Sequence, residues 1–119
     1  MQSRPVWRSM AAMLNKNIGM IGAGQMAVAL GQGLVRAGLI EPDRLLTSDP
    51  VAAARERFAE VTGGRTTTDN AEVAKVSDVL LLAVKPQQMA SVLAELEGKI
   101  GPRQLVVSIA AGVRLAALA

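Results

Sequence analysis

An apolar run, Ile18-Gly19-Met20-Ile21, stops on two glycines one residue apart, Gly22 and Gly24, and passes straight into a helical pattern. A short, continuous apolar run of this kind reads as a strand buried on both faces. From Gln25 to Ala37, the residues Met26, Ala27, Leu30 and Leu34 recur near one helical face, and Gly38 supplies a C-terminal stop. The unit is therefore strand, tight turn, helix. Gly22, Gly24 and Ala27 write G-x-G-x-x-A across it. In such a unit the first glycine permits the turn and the second lets the backbone approach a pyrophosphate. The alanine lets the helix sit close to the sheet. The helix N-terminus adds unpaired N–H groups and a partial positive charge. A glycine-rich turn of purely structural purpose is the alternative, and the strand–turn–helix context favours dinucleotide binding over it.

The same unit repeats along the chain. Leu45–Ser48 reads as a second strand, with Asp49 as N-cap and Pro50 as first residue of a helix that runs to about Val61 and stops at Gly63-Gly64. Arg65–Thr67 is a short polar strand, and Asp69 and Glu72 form a capping-box pair for a helix to Val76. Asp78–Val84 is the strongest strand. Pro86 breaks it, and a helix Gln87–Leu96 follows, ending at Gly98. Gln104–Ile109 is a fifth strand, and Val113–Ala119 reads as the start of another helix. Strands alternating with helices through short links predict an α/β fold, a Rossmann-like doubly wound parallel sheet of about five strands. One domain, residues 17–119, follows a basic tail at 1–16. In the strand order 3-2-1-4-5-6, strands 1 and 4 are central and strand 3 is outer. The apolar first and fourth strands and the polar third agree with that order. The fifth strand reads as fully buried although it would form the other edge. A further strand, domain or partner chain is therefore expected to cover it, as in a truncated chain.

Composition narrows the chemistry. None of the 119 residues is Cys or His. Disulfides, thiolate catalysis and thiolate metal sites are excluded, and the commonest metal ligand and general base are missing. No metal site and no catalytic side chain is assigned, so a bound cofactor would carry any reaction. With one Trp and one Phe, the core must be built from Ala, Val, Leu, Ile and Met, and Met20, Met26 and Met89 read as core fillers. The net charge is +3, but Arg4, Arg8, Lys16 and Arg36 all precede the first acid, Glu41. No basic run with interleaved aromatics argues for nucleic acid. No apolar stretch reaches the ~18 residues of a membrane span. The segment 1–16 lacks a secretory core and reads as a disordered tail or an early start codon, with a short transit peptide as the other reading.

Other residues carry two readings each. Asp49, 27 residues after Gly22, either caps a helix or accepts the ribose hydroxyls of NAD. Arg55 either reaches an NADP 2′-phosphate or lies on a solvated helix face, and the residues alone leave NAD against NADP undecided. Lys85-Pro86 stands at the carboxyl end of the fourth strand, where open α/β sheets bind ligands, or is a surface turn. Ala110-Ala111-Gly112 ends the fifth strand on the same edge. Those small residues leave room for a flat ring, or only make a turn.

The segments IGMIGAGQMAVAL, TSDP (47–50), TTDNAEV (67–73), LLAVKPQQM (81–89) and VSIAAGVRLAAL (107–118) together resemble pyrroline-5-carboxylate reductase, in order and spacing, over residues 17–119. The combination of GAGxMA, AVKP and SIAAG is far more specific than the glycine fingerprint. The resemblance implies a cytoplasmic enzyme that reduces the small molecule 1-pyrroline-5-carboxylate to L-proline, the last step of proline synthesis, with NADPH or NADH and a preference for NADP. It implies that Gly22, Ala23, Gly24, Gln25 and Met26 hold the pyrophosphate. Ser48, Asp49 and Pro50 would meet the adenosine ribose or its 2′-phosphate, with Asn70 nearby. Ala83, Val84, Lys85 and Pro86 would line the nicotinamide side with Ala110, Ala111 and Gly112. The family continues into a C-terminal helical domain that forms a homo-oligomer and supplies much of the substrate site. That domain is absent here, so a fragment with little activity of its own is expected. Another NADP-linked oxidoreductase of the same fold, such as a deazaflavin-dependent reductase, and a non-catalytic dinucleotide-binding module are the other readings.

Overall fold

The computed structural model describes residues 16–109. The N-terminal tail, the expected last helix at 113–119 and the small residues Ala110, Ala111 and Gly112 lie outside the described residues, apart from Lys16. Five parallel strands alternate with four helices and one short 3-10 turn: β1 (Ile18–Ile21), α1 (Gln25–Arg36), the turn Pro42–Arg44, β2 (Leu45–Ser48), α2 (Ala52–Thr62), β3 (Arg65–Thr67), α3 (Asn70–Val76), β4 (Val79–Leu82), α4 (Pro86–Leu96) and β5 (Leu105–Ser108). The sheet order is β3-β2-β1-β4-β5, and every neighbouring pair is parallel. The chain has a Rossmann-like fold.

Strand periodicity explains the two layers. Ile18 and Met20 of β1, Leu45 of β2 and Leu81 of β4 face α1 and α2, where Ala27, Val28 and Phe58 meet them. Ile21, Leu46, Leu80 and Leu82 point to the other face, against Val73 and Ala74 of α3 and Met89, Val92 and Leu96 of α4. An alternation of 2 sends successive side chains to opposite faces. Both faces are covered, so strands 1, 2 and 4 carry almost no solvent-facing position. Phe58, the chain's single phenylalanine, is fully buried and anchors α2.

Several boundaries differ from the sequence expectation. The helix α2 opens at Ala52 with Val51 as N-cap, so Asp49 and Pro50 precede it. The Asp49 carboxylate still accepts the Val51 N–H at 2.8 Å, a local turn that uses the acid before the helix begins. Pro86 is the first residue of α4, not a break before it, because its fixed φ suits that position. The β4 ladder covers only Val79–Leu82. Asp78 lies before it and accepts the Asn17 N–H at 2.9 Å. At α3, Asp69 accepts the Ala71 N–H at 2.9 Å as a cap should. Glu72 does not complete the box: it accepts from the Thr67 hydroxyl at 2.6 Å, and that hydroxyl oxygen accepts the Asp69 N–H at 3.2 Å. The fifth strand is not fully buried. It is an edge of the described sheet, and Leu105 is 58% exposed. Met26 is no core filler either, at 48% exposed, whereas Met20 and Met89 are buried.

Candidate functional site

The chain leaves the sheet at the carboxyl ends of β1 and β4 in opposite directions, into α1 on one face and α4 on the other. Such a switch point opens a crevice. A cleft of about 520 Å³ lies there, within the range of small-molecule and cofactor sites.

The turn after β1 forms its floor. Gly22 has φ +105°, and a Cβ there would sit 2.6 Å from the carbonyl oxygen of Ala83, just after β4. Only glycine takes that conformation without strain, and only glycine leaves β4 in place. Around Gly24, by contrast, a Cβ would meet nothing within 4 Å. Gly24 is the N-cap of α1, with no side-chain cap and no acid in the first turn. The first N–H groups of α1 have no intrahelical acceptor and lie at the positive end of the helix dipole. Ala27 is fully buried, which lets α1 lie close against the sheet.

Three consecutive residues of β2 and its end hold this turn. Thr47 Oγ1 donates to the Gly22 carbonyl at 2.6 Å. Gly22 N–H donates to the Ser48 carbonyl at 2.7 Å. The Asp49 carboxylate accepts the Ala23 N–H at 2.9 Å. Asp49 thus ties the glycine turn to the start of α2, and its own carbonyl accepts from Arg55 Nη1 at 2.8 Å. Arg55, for which the sequence offers either a 2′-phosphate contact or a solvated helix face, is half-buried and held there.

The residues expected at the site are distributed as follows. Gly22, Gly24, Ser48, Asp49 and Pro50 line the cleft on the β1–β2 side. Ala83, Val84 and Lys85 line it after β4, and Asn70, the first residue of α3, lines it beside Ser48. Ala23, Gln25 and Met26 belong to the turn and the first turn of α1 but do not line the cleft, and Pro86 begins α4 behind it. Lys85 is the exposed N-cap residue of α4. The Asn70 amide is engaged on both sides: its Oδ1 accepts from Ser48 Oγ, and its Nδ2 donates to Glu95 Oε2 at 3.1 Å. Sequence reasoning missed Thr47, Glu95 and the α4 residues Gln87, Gln88 and Ser91 that face the cleft. The first turn of α4 could have been found, since it must follow β4 on the ligand-binding edge. Among the described residues no group of three acidic side chains is placed to hold a metal ion.

The arrangement presents backbone donors beside a dipole end and small residues at the switch point. The family model described as NADP oxidoreductase coenzyme F420-dependent matches residues 17–112. The pyrroline-5-carboxylate reductase of Methanosarcina acetivorans is 46% identical over 103 residues, 87% of this chain and 38% of that protein. A solved structure of a pyrroline-5-carboxylate reductase from Coxiella burnetii superposes with a TM-score of 0.77 at 36% identity, over 85% of this chain and 37% of that one. The pyrroline carboxylate reductase of Plasmodium falciparum, solved with NADP bound, gives a TM-score of 0.74 at 29% identity, over 87% of this chain and 37% of that one. The chain thus spans less than two fifths of the length of these relatives.

Proposed function

The chain belongs to the NADP oxidoreductase coenzyme F420-dependent family, and from that premise we propose that it is the dinucleotide-binding part of a pyrroline-5-carboxylate reductase. The observation that carries the reading is the cleft at the β1–β4 switch point, floored by a glycine turn at whose N-cap, Gly24, a Cβ would meet nothing within 4 Å. The residues fit an NADP(H) molecule. The turn and first N–H groups of α1 would hold the pyrophosphate. Ser48, Asp49 and Pro50 would meet the adenosine ribose, and Ala83, Val84 and Lys85 would border the nicotinamide. When bound, that cofactor would supply the hydride that reduces the C=N carbon of N-protonated 1-pyrroline-5-carboxylate to L-proline. This chain's own residues orient the ring and exclude water, which is most of the task for a protonated imine. Substrate contacts, a homo-oligomer and a cytoplasmic location belong to the whole enzyme in this reading. Among the described residues no helix is long and apolar enough to cross a membrane.

A titration of the chain with NADPH tests the cofactor site. Saturable binding is expected, abolished by Gly24→Asp, which sets a carboxylate where the phosphates would lie. A folded chain that binds no NADPH refutes the proposal. The substrate is tested by a chimera that joins this chain to the remainder of the Methanosarcina relative. Reduction of 1-pyrroline-5-carboxylate is expected. A folded chimera that binds NADPH yet turns over only a deazaflavin substrate would instead favour the other NADP-linked reductase.

A further inference from the structure

Ser48 closes β2 and is only 1% exposed, yet it lines the cleft. Its hydroxyl donates to Oδ1 of Asn70, the first residue of α3. The other end of that carboxamide leads away from the site: Nδ2 donates to Glu95 Oε2 at 3.1 Å. Glu95 stands in the last turn of α4, is exposed, and does not line the cleft. Lys99 Nζ donates to the main-chain carbonyl of Glu95 at 2.7 Å, so among the described residues the carboxylate itself serves Asn70 alone. An ionised carboxylate only accepts hydrogen bonds, whereas a carboxamide has a donor end and an acceptor end that exchange places when it flips. Opposite Glu95 only the NH2 end of Asn70 is satisfied. The carboxamide oxygen must then face Ser48, and the one hydroxyl proton of Ser48 is drawn to it.

We propose that Glu95 is a positioning residue for the cleft: from outside the site it sets the sense of the chain Ser48–Asn70–Glu95, so that Ser48 can only accept from a bound ligand. The proposal rests on the dinucleotide reading above and adds to it a residue that touches neither cofactor nor substrate. The opposite sense would leave the Ser48 proton free and turn the carboxamide oxygen toward a carboxylate, two acceptors face to face. A hydrogen bond with an ionised partner is also stronger than a neutral one, which favours the observed sense. A wall whose donors and acceptors are set before the ligand arrives loses less entropy on binding.

Isothermal calorimetry of the 119-residue chain with NADPH and NADH, beside Glu95→Ala, Glu95→Gln, Asn70→Ala and the double variant, tests it. Glu95→Ala weakens both nucleotides by about 3- to 10-fold, the worth of one hydrogen bond, while its thermal midpoint stays near that of wild type because the lost bond is exposed. Glu95→Gln, whose amide oxygen still accepts from Nδ2, recovers part of the affinity. In the Asn70→Ala background the loss of Glu95 has no further effect, as expected for a residue that acts through Asn70. Amide NMR reads the same contact without a ligand: the Asn70 side-chain NH2 resonances move in Glu95→Ala. Affinities of Glu95→Ala within about twofold of wild type, or the same loss with and without Asn70, overturn the role of Glu95 and leave the dinucleotide site standing. Unmoved Asn70 resonances overturn it as well, and decide the matter should Asn70→Ala not fold. A Glu95→Ala chain that loses its fold refutes the proposal, since the residue is then structural. If the folded wild-type chain binds neither nucleotide, the dinucleotide reading fails and this proposal with it.

Discussion

The two glycines of the turn should fail in opposite ways when each gains one methyl group. At Gly22 an alanine must hold φ near +105°, a conformation that costs about 1–3 kcal/mol for a residue with a Cβ. Its Cβ would also sit 2.6 Å from the Ala83 carbonyl oxygen, where ordinary contact begins at 3.4 Å. Ala83 cannot retreat freely, because its N–H donates to the Ile21 carbonyl at 2.9 Å and joins β4 to β1. Loosening that bond adds about 0.5–1.5 kcal/mol. The sum, about 1.5–4.5 kcal/mol, is a large share of the 5–15 kcal/mol that typically separates folded from unfolded chains. At Gly24 the backbone φ is −76°, and a Cβ meets no protein atom. Gly24→Ala should therefore leave stability within about 0.5 kcal/mol, since the gain from a stiffer unfolded chain offsets the poorer N-cap. Urea unfolding followed by circular dichroism reads the difference: the midpoint of Gly22→Ala falls by about 1–2 M and that of Gly24→Ala barely moves. NADPH binding should respond in the reverse sense, Gly24→Ala folding normally and binding poorly. A Gly22→Ala chain within 0.5 kcal/mol of wild type would refute the argument that this turn and β4 constrain each other.

Thr47→Val removes the buried donor to the Gly22 carbonyl and should cost about 1–3 kcal/mol, with Thr47→Ser retaining most of that; equal thermal midpoints for Thr47→Val and wild type would count against the bond. Asp69→Ala deletes the cap of α3 and should lower stability by about 1 kcal/mol in urea unfolding. Phe58→Ala empties the contact between α2 and the sheet and should cost about 3–5 kcal/mol, enough to leave much of the chain unfolded at 37 °C by circular dichroism.

How much of this was legible depends on the range of the interaction. The bounds of β1, β2 and β3 could be read to the residue, because each is a short run closed by Gly, Asp or Thr. Strand order followed from polarity: Arg65–Thr67 is half-exposed at one edge while β1 and β4 are central. Local rules failed where a side chain answers to a distant partner. Asp49-Pro50 carries every mark of a helix start, but its carboxylate is drawn to Ala23, 26 residues earlier. Glu72 has the spacing of a capping box but meets the Thr67 hydroxyl instead. Met26 shares helical spacing with Ala27 and Leu30, yet it is exposed while its immediate neighbours Ala27 and Val28 are the residues of that turn that meet the sheet. Thr47 reads as a polar interruption in an apolar strand, and only the fold shows the carbonyl 25 residues away that it serves.

Those misses share a consequence. The glycine turn is held at three successive points by Thr47, Ser48 and Asp49, through one hydroxyl, one carbonyl and one carboxylate. The Gly22 and Ala23 N–H groups are thereby committed to β2, and the donors left for a ligand are those at the start of α1. A turn fixed in this way does not need to order itself around a phosphate, so little conformational entropy is lost when one binds. The same coupling makes the three contacts interdependent. Neighbours within one network depart from additivity by about 0.5–3 kcal/mol, so Thr47→Val and Asp49→Asn combined should differ from the sum of the single changes. In the proposed reading, chemistry that rests on a backbone cradle would also explain how a chain without histidine or cysteine could serve a redox reaction. The reactive group would arrive with the cofactor, leaving the sequence to hold the strand end, the turn and the helix in register.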